Sequence, residues 1–257
     1  MPASFVVIPA VGLLTVGGMV WPGRPLKARW GVRRGSDGPS VVEYVTAMIG
    51  VIYAVVLGLA VITVWDSLKE AEKTVSAEAS ALRDVFLLSA ALDDPEAVSR
   101  VQTMAHTYAR EVVAVEWPMM REGAGLDPAG WHQLDLMRSD LVAAKVETAK
   151  STEIFGQALD SMQTVYESRR ERDMQAGVRM PGLLWLGLVL GGVISVAVAI
   201  LLAESFSRSH MLLTAVLAIL IAFQLVLIYE LDVPYGHGIR VSSAPFDRAI
   251  DRFDRLS

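Results

Sequence analysis

Glu43 and Asp66 bracket an apolar run, Val45–Trp65, in which Thr46, Tyr53 and Thr63 are the hydroxyl-bearing rungs. That arrangement suits an ion path better than a reaction. A narrow apolar stretch gates by wetting and dewetting, and a carboxylate at each mouth becomes a charged collar once several copies surround one axis. The candidate pore-lining residues are therefore Thr46, Gly50, Tyr53, Val56, Gly58 and Thr63, with Glu43 and Asp66 as the collars. The same run offers a plainer use, because Gly50, Ala54 and Gly58 recur every four residues and let helices approach closely.

No other grouping points to catalysis. The four histidines, His106, His132, His210 and His237, are far apart, with no pair at i, i+4. No metalloprotease helix, nucleophile elbow, phosphate-binding loop or dinucleotide fingerprint occurs. No catalytic residue, metal ligand or cofactor is expected, and an enzyme is not the reading. With no Cys in the chain, a disulfide scaffold is excluded.

The elements that must position these residues follow from where the apolar residues fall. The chain has 257 residues, 53% hydrophobic and 20% charged, with a mean hydropathy of +0.43. Four windows, Ala3–Trp21, Val45–Trp65, Leu183–Ala203 and Met211–Tyr229, contain no Asp, Glu, Lys or Arg. Each is near the roughly 20 residues a helix needs to cross a hydrocarbon core. They run apolar throughout, without the alternation of barrel strands. Residues 1–65 thus form a first transmembrane hairpin, and residues 183–231 a second.

Charge assigns the sides. The 22–40 loop carries Arg24, Lys27, Arg29, Arg33 and Arg34 against Asp37, whereas residues 66–182 hold 13 basic and 20 acidic residues. Short basic loops stay cytoplasmic. Parity then places both termini and the acidic 66–182 domain outside the cytoplasm, in a multi-pass protein of the cell (inner) membrane. Partners expected on this basis are the lipid bilayer, inorganic ions and further copies of the chain, with no nucleic acid.

The 66–182 segment has helical periodicity. Val75, Ala79, Leu82 and Phe86 continue the second span as one rod, with no Gly or Pro from Val64 to Ala91. Asp94-Pro95 and Asp127-Pro128 each pair an N-cap with a first-turn proline. Between them Val98, Val101, Ala105, Tyr108, Val112 and Val115 form a seam on a helix that Pro118 limits and Gly123 with Gly125 ends. Two seven-residue series follow, Leu134, Leu141, Thr148, Phe155, Met162 and Met137, Ala144, Ser151, Ala158, Val165. The chain must leave and re-enter the membrane, so the polar cluster Lys150-Ser151-Thr152-Glu153 is expected to break this stretch in two. The fold class expected is all-α: an integral membrane protein with four transmembrane helices and an extramembrane antiparallel four-helix bundle between the second and third spans. Residues 232–257 complete it as a tail with a short amphipathic helix.

Several motifs carry a family likeness. The second span with Gly50, Tyr53-Ala54 and Trp65, the run from Tyr108 to Glu116-Trp117-Pro118-Met119, and Arg169-Arg170-x-Arg172 followed by Pro181-x-Leu183-Leu184-Trp185 are three of them. The fourth is the tail, Leu231-Asp232-x-Pro234-Tyr235 leading to Gly238 and Val241. Together they resemble the bestrophin-like domain family of membrane proteins of bacteria and plants. The chain has Val233 and Tyr235 where that family's tail pattern carries an Arg and a Phe. Kinship with bestrophins implies an oligomeric anion channel, whereas the acidic 66–182 domain would concentrate cations. Ion selectivity is therefore left open, and a non-conducting accessory protein or a sensor acting through a partner are the alternatives. Within the family triplet, Trp117 and Pro118 are expected to form an interfacial anchor at the membrane surface. Glu116 there is paired with an arginine of Arg169, Arg170 and Arg172, or else faces a pore mouth.

Overall fold

A computed structural model describes residues 41–201, 208–236 and 238–256. The expected first span and its basic loop lie outside the described residues. Among these the chain is helical, with no strand. Eight α-helices and one π-helical turn follow in order. They are α1 (Val41–Ser89), α2 (Pro95–Glu111), π1 (Val112–Glu116), α3 (Trp117–Arg121), α4 (Pro128–Ala143), α5 (Ala149–Gly177), α6 (Gly182–Leu201), α7 (Arg208–Leu231) and α8 (Ala244–Asp254). Three of them, α1, α6 and α7, are long and apolar enough to cross a membrane. The chain forms two compact units, residues 1–65 with 180–232 and residues 66–179 with 233–257.

In the apolar unit, the first half of α1 meets α6 through Tyr53. Its hydroxyl donates to the Leu188 carbonyl at 2.9 Å. The ring lies so close to Gly191 that a Cβ there would stand 2.6 Å from its Cδ2. Glycine is thus required at the contact. Asp232 closes the α6–α7 hairpin, accepting from the Met180 amide at 2.8 Å and from the Trp185 indole at 3.3 Å.

α1 is an uninterrupted 49-residue helix, about 74 Å long at 1.5 Å per residue. Its second half belongs to the polar unit, where side-chain pairs give the direction of each neighbour. Glu78 with Arg172 and Thr74 with Gln175 run α5 antiparallel to α1. Arg100 with Asp140 and Gln133 with Glu111 do the same for α2 and α4. Asp135 with Tyr166 joins α4 to α5. The seam residues Val101, Ala105, Tyr108 and Val112 are buried, as are Leu134, Met137, Leu141, Ala158, Met162 and Val165.

Local chemistry explains the helix starts. Asp94 accepts from the Ala97 amide at 3.1 Å and Asp127 from the Ala129 amide at 2.9 Å, each ahead of a proline whose missing N–H costs nothing there. Hydrogen bonds from the Ser151 hydroxyl and the Glu147 amide hold the Asp93 carboxyl below its ordinary value.

Three sequence expectations are corrected. The break between α4 and α5 falls at Ala144–Thr148, earlier than Lys150–Glu153, because Thr148 and Ser151 cap one another reciprocally and Asp93 clasps both Ser151 and Glu147. The polar cluster is therefore a capped first turn. Pro118 does not limit its helix, although the helix does end at Gly123 as expected. The π turn before Pro118 bonds the Trp117 amide to the Val112 carbonyl, a widening that makes room for a ring that would strike the residue-114 carbonyl of a regular helix. The chain continues to Arg121 and turns at Gly123, whose φ is +77°. Finally, the tail is not separate, since α8 buries Phe246, Ala249 and Phe253 within the polar unit, with Phe253 stacked 4.3 Å from Phe86. A fifth helical segment thus joins the four expected.

One consequence can be checked directly. Leu141 is fully buried and Arg138 is exposed, so Leu141→Ala should destabilise the polar unit by about 2–5 kcal/mol. Arg138→Ala should cost about 0.5 kcal/mol or less. Chemical denaturation followed by tryptophan fluorescence separates the two, and equal costs would mean the core face is misassigned.

Candidate functional site

Charge is concentrated in the polar unit, where five side chains from four elements converge. The residues are Glu78 of α1, Tyr108 of α2, Glu116 at the end of π1, and Arg169 and Arg172 of α5. All five side chains are fully buried. The spacing of 3 between Arg169 and Arg172 puts both guanidiniums on one helix face. The π turn carries one extra residue, which aims Glu116 inward beside them.

Arg172 grips Glu78 with both tines of its fork, Nε to Oε2 at 2.7 Å and Nη2 to Oε1 at 2.9 Å. Its Nη2 also lies 2.8 Å from Glu116 Oε2. Arg169 holds the other side of Glu116, Nη2 to Oε1 at 2.5 Å and Nη1 to Oε2 at 3.1 Å. The Tyr108 hydroxyl closes the circuit, accepting from Arg169 at 3.0 Å and donating to Glu78 Oε1 at 2.5 Å. Arg169 also donates to the Asp127 carbonyl at 2.8 Å and lies over the Trp131 ring, 5.0 Å from its centroid. Two guanidiniums thus face two carboxylates, and formal charge cancels within the cluster.

Buried charge is tolerated only when paired this completely. Burial opposes the charge on Arg172, but the Glu78 carboxylate and its hydrogen bonds outweigh that and hold the guanidinium well above its ordinary value. Burial, reinforced by the charge of Glu78, pushes the Tyr108 phenol well up, so it stays neutral and available as a donor. A Cβ on Gly130 would come 2.3 Å from Arg169 Nη2, so glycine there gives the guanidinium its space. The assembly is closed and electrically balanced, with Arg169 Nε its one buried polar atom lacking a hydrogen-bond partner among the described residues, and it ties α1, α2, π1 and α5 together as a lock.

The structure brings together Glu116, Arg169 and Arg172 of the sequence candidates and leaves out Arg170, which is exposed. Trp117 is buried in the polar unit against Tyr235 and Phe246, at 6.0 and 6.2 Å between ring centroids. It therefore serves as core and not as a membrane-surface anchor, because the tail folds back over it; Pro118 beside it is exposed. Glu78 was missing from the sequence candidates. Its signal was present, since it lies three residues after Val75 and four before Leu82, a carboxylate inside an apolar stripe. Tyr108 is legible in the sequence as a seam position and as the start of the run to Glu116-Trp117-Pro118.

The pore candidates divide differently. Tyr53 is committed to α6 and so is removed from the residues that can face an axis. Gly50, Val56, Gly58 and Thr63 are exposed, and among the described residues a Cβ built on either glycine meets nothing within 4 Å. Thr46 is half-buried, and Thr63 donates back to the Leu59 carbonyl at 2.9 Å. Asp66 is exposed at the start of the polar unit, while the Glu43 side chain lies outside the described residues.

Residues 6–246 match the model of the bestrophin-like domain. The chain belongs to the bestrophin-like family. Its fold is also that of solved structures of a bacterial bestrophin homologue from Klebsiella pneumoniae. Three variants of that homologue align with TM-scores of 0.68, 0.66 and 0.65. Their identities to this bestrophin-like chain are 11, 13 and 11%, covering 98–99% of it and 96–97% of the homologue. No curated protein sequence matches. The bestrophin-like chain is accordingly an all-α, multi-pass membrane protein.

Proposed function

We propose that the chain assembles with copies of itself into an ion channel in the cell membrane. The observation that carries this reading is the bestrophin-like match along residues 6–246, supported by a fold shared with a bacterial bestrophin homologue over nearly the whole of both chains. In this reading residues 3–21 supply a fourth span. The first half of α1 lines the ion path through Thr46, Gly50, Val56, Gly58 and Thr63, and Glu43 and Asp66 form collars at its ends. The open face around Gly50 and Gly58 supports that assignment, because among the described residues nothing packs there. Lipid surrounds the remaining apolar faces. Permeant ions are inorganic, and their sign is set by the collars and by whatever surrounds the mouth. The ion-pair lock keeps the polar unit rigid where α1 enters it.

The test is the mass of the purified protein in nanodiscs. A single closed oligomer supports a channel built around an axis, and a stable monomer overturns it.

Orientation follows from the basic 22–40 loop, which we place in the cytoplasm with the polar unit and both termini outside. A cysteine replacing exposed Ala91 should react with a membrane-impermeant thiol reagent in intact cells. Labelling only after lysis reverses the orientation.

A further inference from the structure

The polar unit has a second concentration of charge, and this one is open to solvent. Between the second half of α1 and α8 lies a groove of about 540 Å³, lined by Arg83, Arg248, Arg252 and Arg255 with the hydroxyls of Ser76 and Ser80. Two carboxylates, Asp84 and Asp251, also reach it. The placement is built by helix periodicity. On α8 and its C-cap, Arg248, Arg252 and Arg255 fall at spacings of 4 and 3 and so share one face, while Phe246, Ala249 and Phe253 take the buried one. On α1, Ser76, Ser80 and Arg83 repeat the same 4 and 3 spacing and line the facing wall.

Neutralisation inside the groove is incomplete. Arg83 is 3.7 Å from Asp84, and the Arg255 Nε donates to the Asp251 backbone carbonyl at 3.0 Å. Arg248 and Arg252 make no ion pair among the described residues. Four arginines thus face two carboxylates, although residues 66–179 with 233–257 hold 23 acidic and 17 basic residues. In the buried lock each guanidinium has a carboxylate; in the groove it does not.

We propose that this groove is a binding site for a multivalent phosphate-type oxyanion. Guanidinium forks match phosphate oxygens in pairs, and hydroxyls complete the set of donors. The volume falls in the range of small-ligand sites, with room for more than one phosphate group. Gathering like charges on two helices repels α8 from α1, and a bound anion removes that repulsion, so occupancy should stabilise the polar unit by mass action. The assignment stands apart from the channel reading, since it rests on a different unit and different residues.

Pyrophosphate is the probe, titrated into the full chain in phosphatidylcholine nanodiscs by calorimetry and by thermal melting. Saturable binding and a rise in Tm are expected, beyond any rise given by sodium chloride at matched ionic strength. Arg248→Gln with Arg252→Gln should weaken binding by about tenfold or more, since each loses a charge-assisted pair. Arg121→Gln, exposed and outside the groove, should leave it unchanged. Should the double variant fail to fold, Arg83→Gln on the opposite wall carries the same expectation. Displacement of pyrophosphate by dihexanoyl phosphatidic acid at lower concentration than by glycerol 3-phosphate assigns the anion to a lipid headgroup, and equal displacement assigns it to a soluble phosphate. Absence of saturable binding, a Tm rise matched by sodium chloride, or binding indifferent to the groove arginines overturns the site.

Discussion

Arg172→Met should destabilise the polar unit by about 3–5 kcal/mol, the cost of leaving a buried carboxylate without its partner. The substitution keeps an apolar stem of similar length, so lost packing contributes little. What it removes is the bidentate grip on Glu78 and the bridge to Glu116, both in a cluster with no exposure to water. Arg172→Lys should recover only part of the loss, because one ammonium cannot reproduce the planar fork. Arg170→Met, two residues away and exposed, should cost about 0.5 kcal/mol or less. Denaturant unfolding of the three variants side by side is the measurement. Equal effects at positions 170 and 172 would mean that the cluster does not hold the helices together.

Gly58→Leu should have the opposite profile, large in function and small in the chain's own fold. Among the described residues a Cβ at Gly58 meets nothing within 4 Å, so the added side chain has free space beside them. Leucine also favours helix over glycine by roughly 0.5–1 kcal/mol. If that face meets other copies or an ion path, the bulk either separates the subunits or fills the pore. Ion flux should then fall by about tenfold or more while the melting temperature of the variant holds or rises. Gly191→Leu is the contrasting change, since its side chain collides with the Tyr53 ring and should disrupt the apolar unit itself. Wild-type flux in Gly58→Leu would remove this face from the conduction path.

Which features were legible in the sequence depended on how local they are. Asp94-Pro95 and Asp127-Pro128 announce helix starts because cap and proline act within one turn, and both caps form. The second half of the α1 rod follows from the stretch Val64–Ala91, which has no Gly or Pro. The α4–α5 break was misplaced because a polar cluster looks the same whether it loops or caps, and only the partner Asp93, 58 residues from Ser151, decides. Tyr53 could be taken for a polar rung of a pore because its spacing says nothing of the glycines on α6 that receive it. Glu78 needed its partner 94 residues away to be distinguished from the other charges of the rod. The docking of α8 was likewise tertiary, although its amphipathic face was foreseen.

Ion flux from liposomes reconstituted with the purified oligomer tests conduction itself. Flux above protein-free vesicles is expected, lost in Gly58→Leu. Glu43→Gln with Asp66→Gln should shift the cation to anion ratio by about tenfold or less, because each collar acts through a partly screened surface potential. Correctly assembled protein that passes no ion of either sign, at any voltage and with or without divalent cations, would contradict conduction.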